Sequence, residues 1–205
     1  MTKIVTILTE GYADWETALL NASARSYFKL DTAFATPDGQ PVTSAGGLRV
    51  TPDLAIADID PWSTDALVVN GGAIWSTPAA PSLEPLLKAM RNADKIVAGI
   101  CDGTLALARA GILDHVRHTS NHPDNLTPTD YAGAALYQDQ PEAVRDGKIV
   151  TAPGTAPVSF MGEVYAALGL RDENLDYYIG MYAAEHFDPS RGQIAPVERF
   201  EARRP

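Results

Sequence analysis

Apolar residues along the chain form short β-branched runs, and the stretches between them carry helical spacing. Lys3-Ile-Val-Thr-Ile-Leu-Thr9 is the first such run, the pattern of a parallel strand buried on both faces. A helix rich in Ala and Leu is predicted from Trp15 to Phe28, then a strand from Leu30 to Ala35 closed by a turn at Pro37-Asp38-Gly39. There Pro presets φ and Gly supplies a left-handed residue. Ala66-Leu-Val-Val69 reads as a third strand ending at Asn70-Gly71-Gly72. Ser82 is placed to cap the next helix, where Leu83, Leu86, Leu87 and Met90 fall on one face. Lys95 to Ile100 is a fourth strand and runs directly into a small-residue helix, Cys101 to Arg109. A short strand is expected near Val116 to Ser120. Asp146-Gly147 marks a hairpin between Ala143-Val-Arg145 and Lys148-Ile-Val-Thr151. Two further helical faces follow: Val158, Met161, Val164, Tyr165 and Leu168, then Leu175, Tyr178, Ile179 and Tyr182.

Strands alternating with helices imply an α/β fold with a mostly parallel central sheet and helices on both faces. Ligands in such sheets bind beyond the carboxyl ends of the strands, which here means after Thr9, Val69 and Ile100. The 205 residues suit one domain, taken as 1–205. With 16 Lys and Arg against 26 Asp and Glu the net charge is −10, which argues against a nucleic-acid or anionic-membrane surface. No apolar run approaches the roughly 18 residues of a membrane span, and the N-terminal run reads as a strand rather than a signal peptide. The lone cysteine, Cys101, excludes an intrachain disulfide and a cysteine-rich zinc site, and fits a reducing, cytoplasmic compartment.

Gly99-Ile-Cys-Asp-Gly103 has the layout of a nucleophile elbow: a strand ends, one reactive residue follows, and a glycine permits the sharp turn into a helix. The alternative is a packed thiol acting as a small hydrophobe; the glycine and the strand-to-helix junction favour the nucleophile. A helix N-terminus favours thiolate, so an acidic Cys101 is expected, with Asp102 opposing the shift. Oxyanion donors are expected from the backbone N–H groups of Gly71, Gly72 and Asp102. Of His115, His118, His122 and His186, only His122 falls past a strand on the side of Cys101, with Pro123 to fix its direction. It is the candidate base, and His115 and His118 read as structural or exposed.

Thr9-Glu-Gly-Tyr-Ala-Asp-Trp-Glu-Thr17, Val68-Val-Asn-Gly-Gly72, Ala98-Gly-Ile-Cys-Asp-Gly103, Asn121-His-Pro123 and Thr151-Ala-Pro-Gly-Thr155, taken together, resemble the ThiJ/PfpI family of the class I glutamine-amidotransferase-like superfamily. The resemblance implies a flavodoxin-like three-layer sandwich, a homodimer, and Cys101 as a nucleophile in a strained elbow. It also implies that Glu16 is a protonated acid hydrogen-bonded to the sulfur, and that His122 is the family histidine. Asp102 stands where protease-annotated relatives carry His, and Asn70 where the family has Pro. Isocyanide-hydrating relatives carry Asp at the position of Glu16, which argues against that activity. The expected function is a glyoxalase- or deglycase-like enzyme acting on small reactive carbonyls, needing neither metal nor cofactor. Two alternatives use the same scaffold: an oxidative-stress redox sensor or chaperone-like protein relying on Cys101, and an amidotransferase-like protein without glutaminase activity. The late-chain pair Glu185-His186 has the wrong order for a glutaminase.

Overall fold

The computed structural model describes residues 2–185. Nine strands are described: β1 (Lys3–Ile7), β2 (Asp31–Thr36), β3 (Val42–Thr43), β4 (Arg49–Val50), β5 (Leu54–Ala55), β6 (Ala66–Val69), β7 (Ile96–Ile100), β8 (Val144–Asp146) and β9 (Ile149–Ala152). The helices are α1 (Asp14–Ser26), α2 (Glu84–Asn92), α3 (Gly103–Arg109), α4 (Pro123–Leu126), α5 (Pro157–Ala167) and α6 (Glu173–Ala183). The main sheet has seven strands in the order β5-β2-β1-β6-β7-β9-β8, and β3 pairs with β4 in a separate hairpin. All pairings in the main sheet are parallel except β8 with β9.

The central strands are apolar apart from the buried Thr6 and Thr151 because both faces are covered. Val5, Ile7, Leu67, Val69 and Val97 point to one face, against Leu87 and Met90 of α2 and Leu105 and Leu107 of α3. Ile4, Val68, Ala98 and Ile100 point to the other, against Leu20 and Ala24 of α1 and Phe160, Met161, Val164 and Tyr165 of α5. The buried Tyr165 hydroxyl lies 2.6 Å from Ser23 Oγ and donates to the Leu20 carbonyl at 2.6 Å, tying α5 to α1. This is the mostly parallel α/β sheet that the alternating pattern predicts, in the flavodoxin-like form that the family resemblance implies. No described helix is long and apolar enough to cross a membrane.

Two local expectations are corrected. Residues 116–120 form no strand; only His118 makes an isolated bridge, to Tyr137. The nearest strand, β9, already has β7 on one side and β8 on the other, so no ladder is open to it. The segment is held instead by the Thr119 N–H on Thr151 Oγ at 2.8 Å. Ser82 caps nothing: the N-cap position of α2 is Leu83, without a side-chain hydrogen bond. The buried Leu83 is drawn into the core there, and Ser82 is left exposed.

Candidate active site

The ends of β1, β6, β7 and β9 converge on Cys101. This residue follows β7 directly and has a φ of 56°, a left-handed conformation that costs a non-glycine residue on the order of 1–3 kcal/mol. The surroundings over-determine it. Its N–H donates to the Ala152 carbonyl at 2.9 Å, and its carbonyl accepts the Thr104 N–H at 3.1 Å and the Thr104 hydroxyl at 2.7 Å. Thr104 Oγ is itself 2.8 Å from Ser120 Oγ. The chain then enters α3 at Gly103, where a Cβ would collide with the Val69 carbonyl at the end of β6.

Glu16 lies in the first turn of α1 and is 1% exposed. Its Oε2 accepts the Gly71 N–H at 2.7 Å. Its Oε1 has no N–H or hydroxyl partner; the polar group that side of the carboxyl meets is the Cys101 thiol. Glycine at two positions makes this approach possible. A Cβ on Gly71 would run into Glu16 Oε2 and lie 2.6 Å from Cys101 Cβ, and one on Gly154 would lie 2.9 Å from Cys101 Sγ. Asn70 holds the Glu16 side of the site, its buried amide donating to the Ala13 carbonyl at 3.0 Å and the Gly71 carbonyl at 3.1 Å.

The remaining side-chain partner of the sulfur is Asn121, whose Nδ2 donates to Cys101 Sγ at 3.1 Å and to Asp102 Oδ1 at 3.2 Å. The orientation of this amide is set by its other end, because Oδ1 accepts the Gly154 N–H at 2.8 Å. The neighbouring Asp102 N–H lowers the proton affinity of the sulfur. Asn121 is a neighbour of the sulfur that the sequence reading did not single out. The clue lay in His122-Pro123: Pro at the first position of a helix makes the preceding residue its cap.

His122 is that cap. Its Nδ1 accepts the Asp124 N–H at 3.2 Å and lies 3.4 Å from Asp124 Oδ2, its side chain is 63% exposed, and no hydrogen bond joins it to Cys101. Thus the structure brings Glu16, Gly71 and Asp102 to Cys101 and leaves His122 at the end of α4. Gly71 has its N–H committed to Glu16. Gly72 stands beside it, close to Tyr12 and Thr9. His118 is buried, with Nδ1 2.8 Å from the Val116 carbonyl and Nε2 3.3 Å from the Tyr131 hydroxyl; His115 is exposed, and His186 lies outside the described residues. Among the described residues no group of three or more His, Cys, Asp and Glu is arranged to hold a metal.

The electrostatics reverse the expectation of an acidic thiol. Burial, with the Glu16 carboxylate adding to it, pushes Cys101 up to about 12 against the pull of the Asn121 amide and the Asp102 N–H in the other direction. Burial likewise raises Glu16 from 4.5 to about 7, with the Asp102 charge adding to the rise; the contacts with Cys101 and the Gly71 N–H act the other way. The two form one unit that carries a single negative charge above neutrality and resists a second.

A model of the DJ-1/PfpI family matches residues 2–167. The chain belongs to the DJ-1/PfpI family. A solved DJ-1 superfamily protein from Agrobacterium tumefaciens is 47% identical, with a TM-score of 0.88 over 91% of this chain and 100% of that one. A Bacillus subtilis relative described as an uncharacterized protease is 35% identical over 168 residues, 76% of this chain and 78% of its own. The glutathione-independent glyoxalase DJR-1.2 of Caenorhabditis elegans is 29% identical over 131 residues, 62% of this chain and 68% of its own. Relatives in this family thus bear the names of enzymes with different reactions.

Proposed function

We propose that this DJ-1/PfpI protein is a cysteine-dependent enzyme acting on small reactive carbonyls, of the glyoxalase or deglycase kind, with no metal or organic cofactor. The observation that carries the reading is the Cys101 thiol set against a buried carboxyl whose raised proton affinity suits it to give and take a proton near neutral pH. The Cys101 thiol gives its proton to the Glu16 carboxylate, and the sulfur attacks the aldehyde carbon of a 2-oxoaldehyde. A C–S bond forms, and the carbonyl π pair moves to oxygen, which takes the proton of Glu16. The Glu16 carboxylate then removes the hydrogen of that carbon to give an enediol and returns a proton to the neighbouring carbon, while the first hydroxyl gives up its proton and the neighbouring oxygen gains one. One carbon is oxidised as the other is reduced, so no external redox partner is needed. The resulting thioester of a 2-hydroxy acid is hydrolysed by water, which restores the thiol. The backbone N–H groups of Asp102 and Gly72 are the donors for the oxygen.

The similarity to a relative named a glutathione-independent glyoxalase supports this reading. Asp102 in place of a histidine beside the cysteine speaks against peptide hydrolysis, because it removes a base from the nucleophile's side. The lone cysteine fits a cytoplasmic setting, where thiols stay reduced.

A substrate panel of glyoxals, isocyanides, glutamine and peptides, run on the reduced protein and on Cys101→Ser, tests the proposal. Methylglyoxal turnover that disappears in Cys101→Ser is expected. A reduced wild type inert to glyoxals, with Cys101 oxidised readily by peroxide, replaces the enzyme reading with the redox-sensor one.

A further inference from the structure

We propose that the side-chain amide of Asn121 is a catalytic donor that receives the substrate's carbonyl oxygen as Cys101 adds to it; the assignment rests on the carbonyl reading above. Three features of the amide support it. The first is that its orientation is fixed before any substrate arrives. The Gly154 N–H holds Oδ1 at 2.8 Å, and Asp102 Oδ1 accepts one of the Nδ2 hydrogens at 3.2 Å. Asp102 is steadied in turn by Asn125 Nδ2 at 3.4 Å and Ser76 Oγ at 3.4 Å. A donor fixed in this way needs no reorganisation when charge develops.

The second feature is that the other Nδ2 hydrogen points at the sulfur, 3.1 Å away. When the thiolate adds to an aldehyde, its electron pair becomes the C–S bond and the carbonyl π pair becomes the new anion, two bonds from the sulfur. The sulfur is then a poor acceptor and releases the N–H as a better one forms beside it. The same donor thus serves the charge before and after the step, and the oxygen is neutralised afterwards by the Glu16 proton. The third feature is that one backbone donor at the site is already engaged, the Gly71 N–H being bound to Glu16 Oε2 at 2.7 Å, so the amide supplements the Asp102 and Gly72 N–H groups. Asn121 also stands at the solvent-exposed side of the site, where a substrate enters. The charged or titratable groups acting on the sulfur and its acid are Glu16 and Asp102.

The experiment compares two reactions of Cys101 that differ only in whether an oxyanion forms. Alkylation by iodoacetamide is a displacement and makes none, whereas addition to methylglyoxal makes one. Addition is read as turnover and as protection of Cys101 from iodoacetamide by methylglyoxal. In Asn121→Ala, turnover should fall by roughly 10²–10³ and protection should weaken, with alkylation at pH 8 slowed less than about tenfold. Asn121→Leu keeps the volume without the amide and should behave alike, which separates loss of the donor from collapse of the loop. An equal fall in alkylation and turnover, or full turnover in both variants, overturns the assignment and leaves the carbonyl reading standing. A wild type with neither turnover nor protection overturns both together. If both variants fail to fold, Asn121 is a structural residue and the assignment is again overturned.

Discussion

The decisive pair at the residue scale is Glu16 and Cys101. Below about 7 both carry their protons, and no thiolate is present. Above it the pair holds one negative charge, which the thiol draws on by giving its proton to Glu16. Alkylation of Cys101 should therefore rise with pH through a midpoint near 7. In Glu16→Gln that ionisation is gone, so the midpoint should move to higher pH, and turnover should fall by roughly 10²–10⁴. An unmoved midpoint in stopped-flow alkylation removes Glu16 from the mechanism.

The same group makes a stability prediction. Glu16 goes from 4.5 to about 7 on folding, so its contribution is fully present below 4.5 and is lost as pH rises to about 7. The folded state should lose up to about 3 kcal/mol across that window. Glu16→Gln should thus raise the melting temperature at pH 8 and leave it nearly unchanged at pH 4.5, as calorimetry at the two pH values would read. His122→Ala, by contrast, removes a surface cap and should leave the pH profile of alkylation in place, with a stability loss of about 0.5–2 kcal/mol. A drop in turnover of tenfold or more in this variant would return His122 to the site.

The site at the scale of elements is a place where strand and helix ends come closer than side chains allow. Gly71 ends the approach of β6 to α1, and Gly154 closes the loop after β9 over the sulfur. Gly154→Ala introduces a Cβ 2.9 Å from Cys101 Sγ, which must displace either the sulfur or the Asn121 amide bonded to the Gly154 N–H. A stability loss of about 1–3 kcal/mol and at least a roughly tenfold slower alkylation are expected. An alkylation rate equal to wild type would show that the loop yields freely. Trp15 reinforces the same junction, its indole N–H reaching from α1 to the Gly154 carbonyl at 3.0 Å.

For the whole molecule, the proposed assembly is a homodimer. Trp75 gives no support to it, since it is fully buried in its own core and its indole donates to the Asn70 carbonyl at 2.8 Å. Support comes from the large apolar side chains left outside, Trp15 at 56%, Leu48 at 61% and Trp62 at 76% exposed. Leu48 and Tyr12 also line an apolar cleft of about 320 Å³ between α1 and the β3–β4 hairpin. Light scattering at micromolar concentration should give twice the chain mass of 21.9 kDa; the single-chain mass would exclude the dimer.

The order of strands and helices is written in the chain itself. Continuous buried runs such as Ile4 to Ile7 and Ala66 to Val69 suit strands covered on both faces, and the Ile100-Cys101-Asp102-Gly103 junction marks the sharp strand-to-helix turn in the sequence itself. Glu16 was legible only through the family resemblance, because nothing local to α1 announces that its first turn buries a carboxyl. Only the tertiary structure shows that Asn121, and not its neighbour His122, hydrogen-bonds the sulfur. Adjacent residues outside regular structure point in directions set by the cap of α4 and the Gly154 N–H, which are contacts 2 and 33 residues away in sequence. It also decided the proton affinities of Glu16 and Cys101. Sequence spacing locates a helix N-terminus, whereas desolvation depends on how many distant strand ends close over the pair.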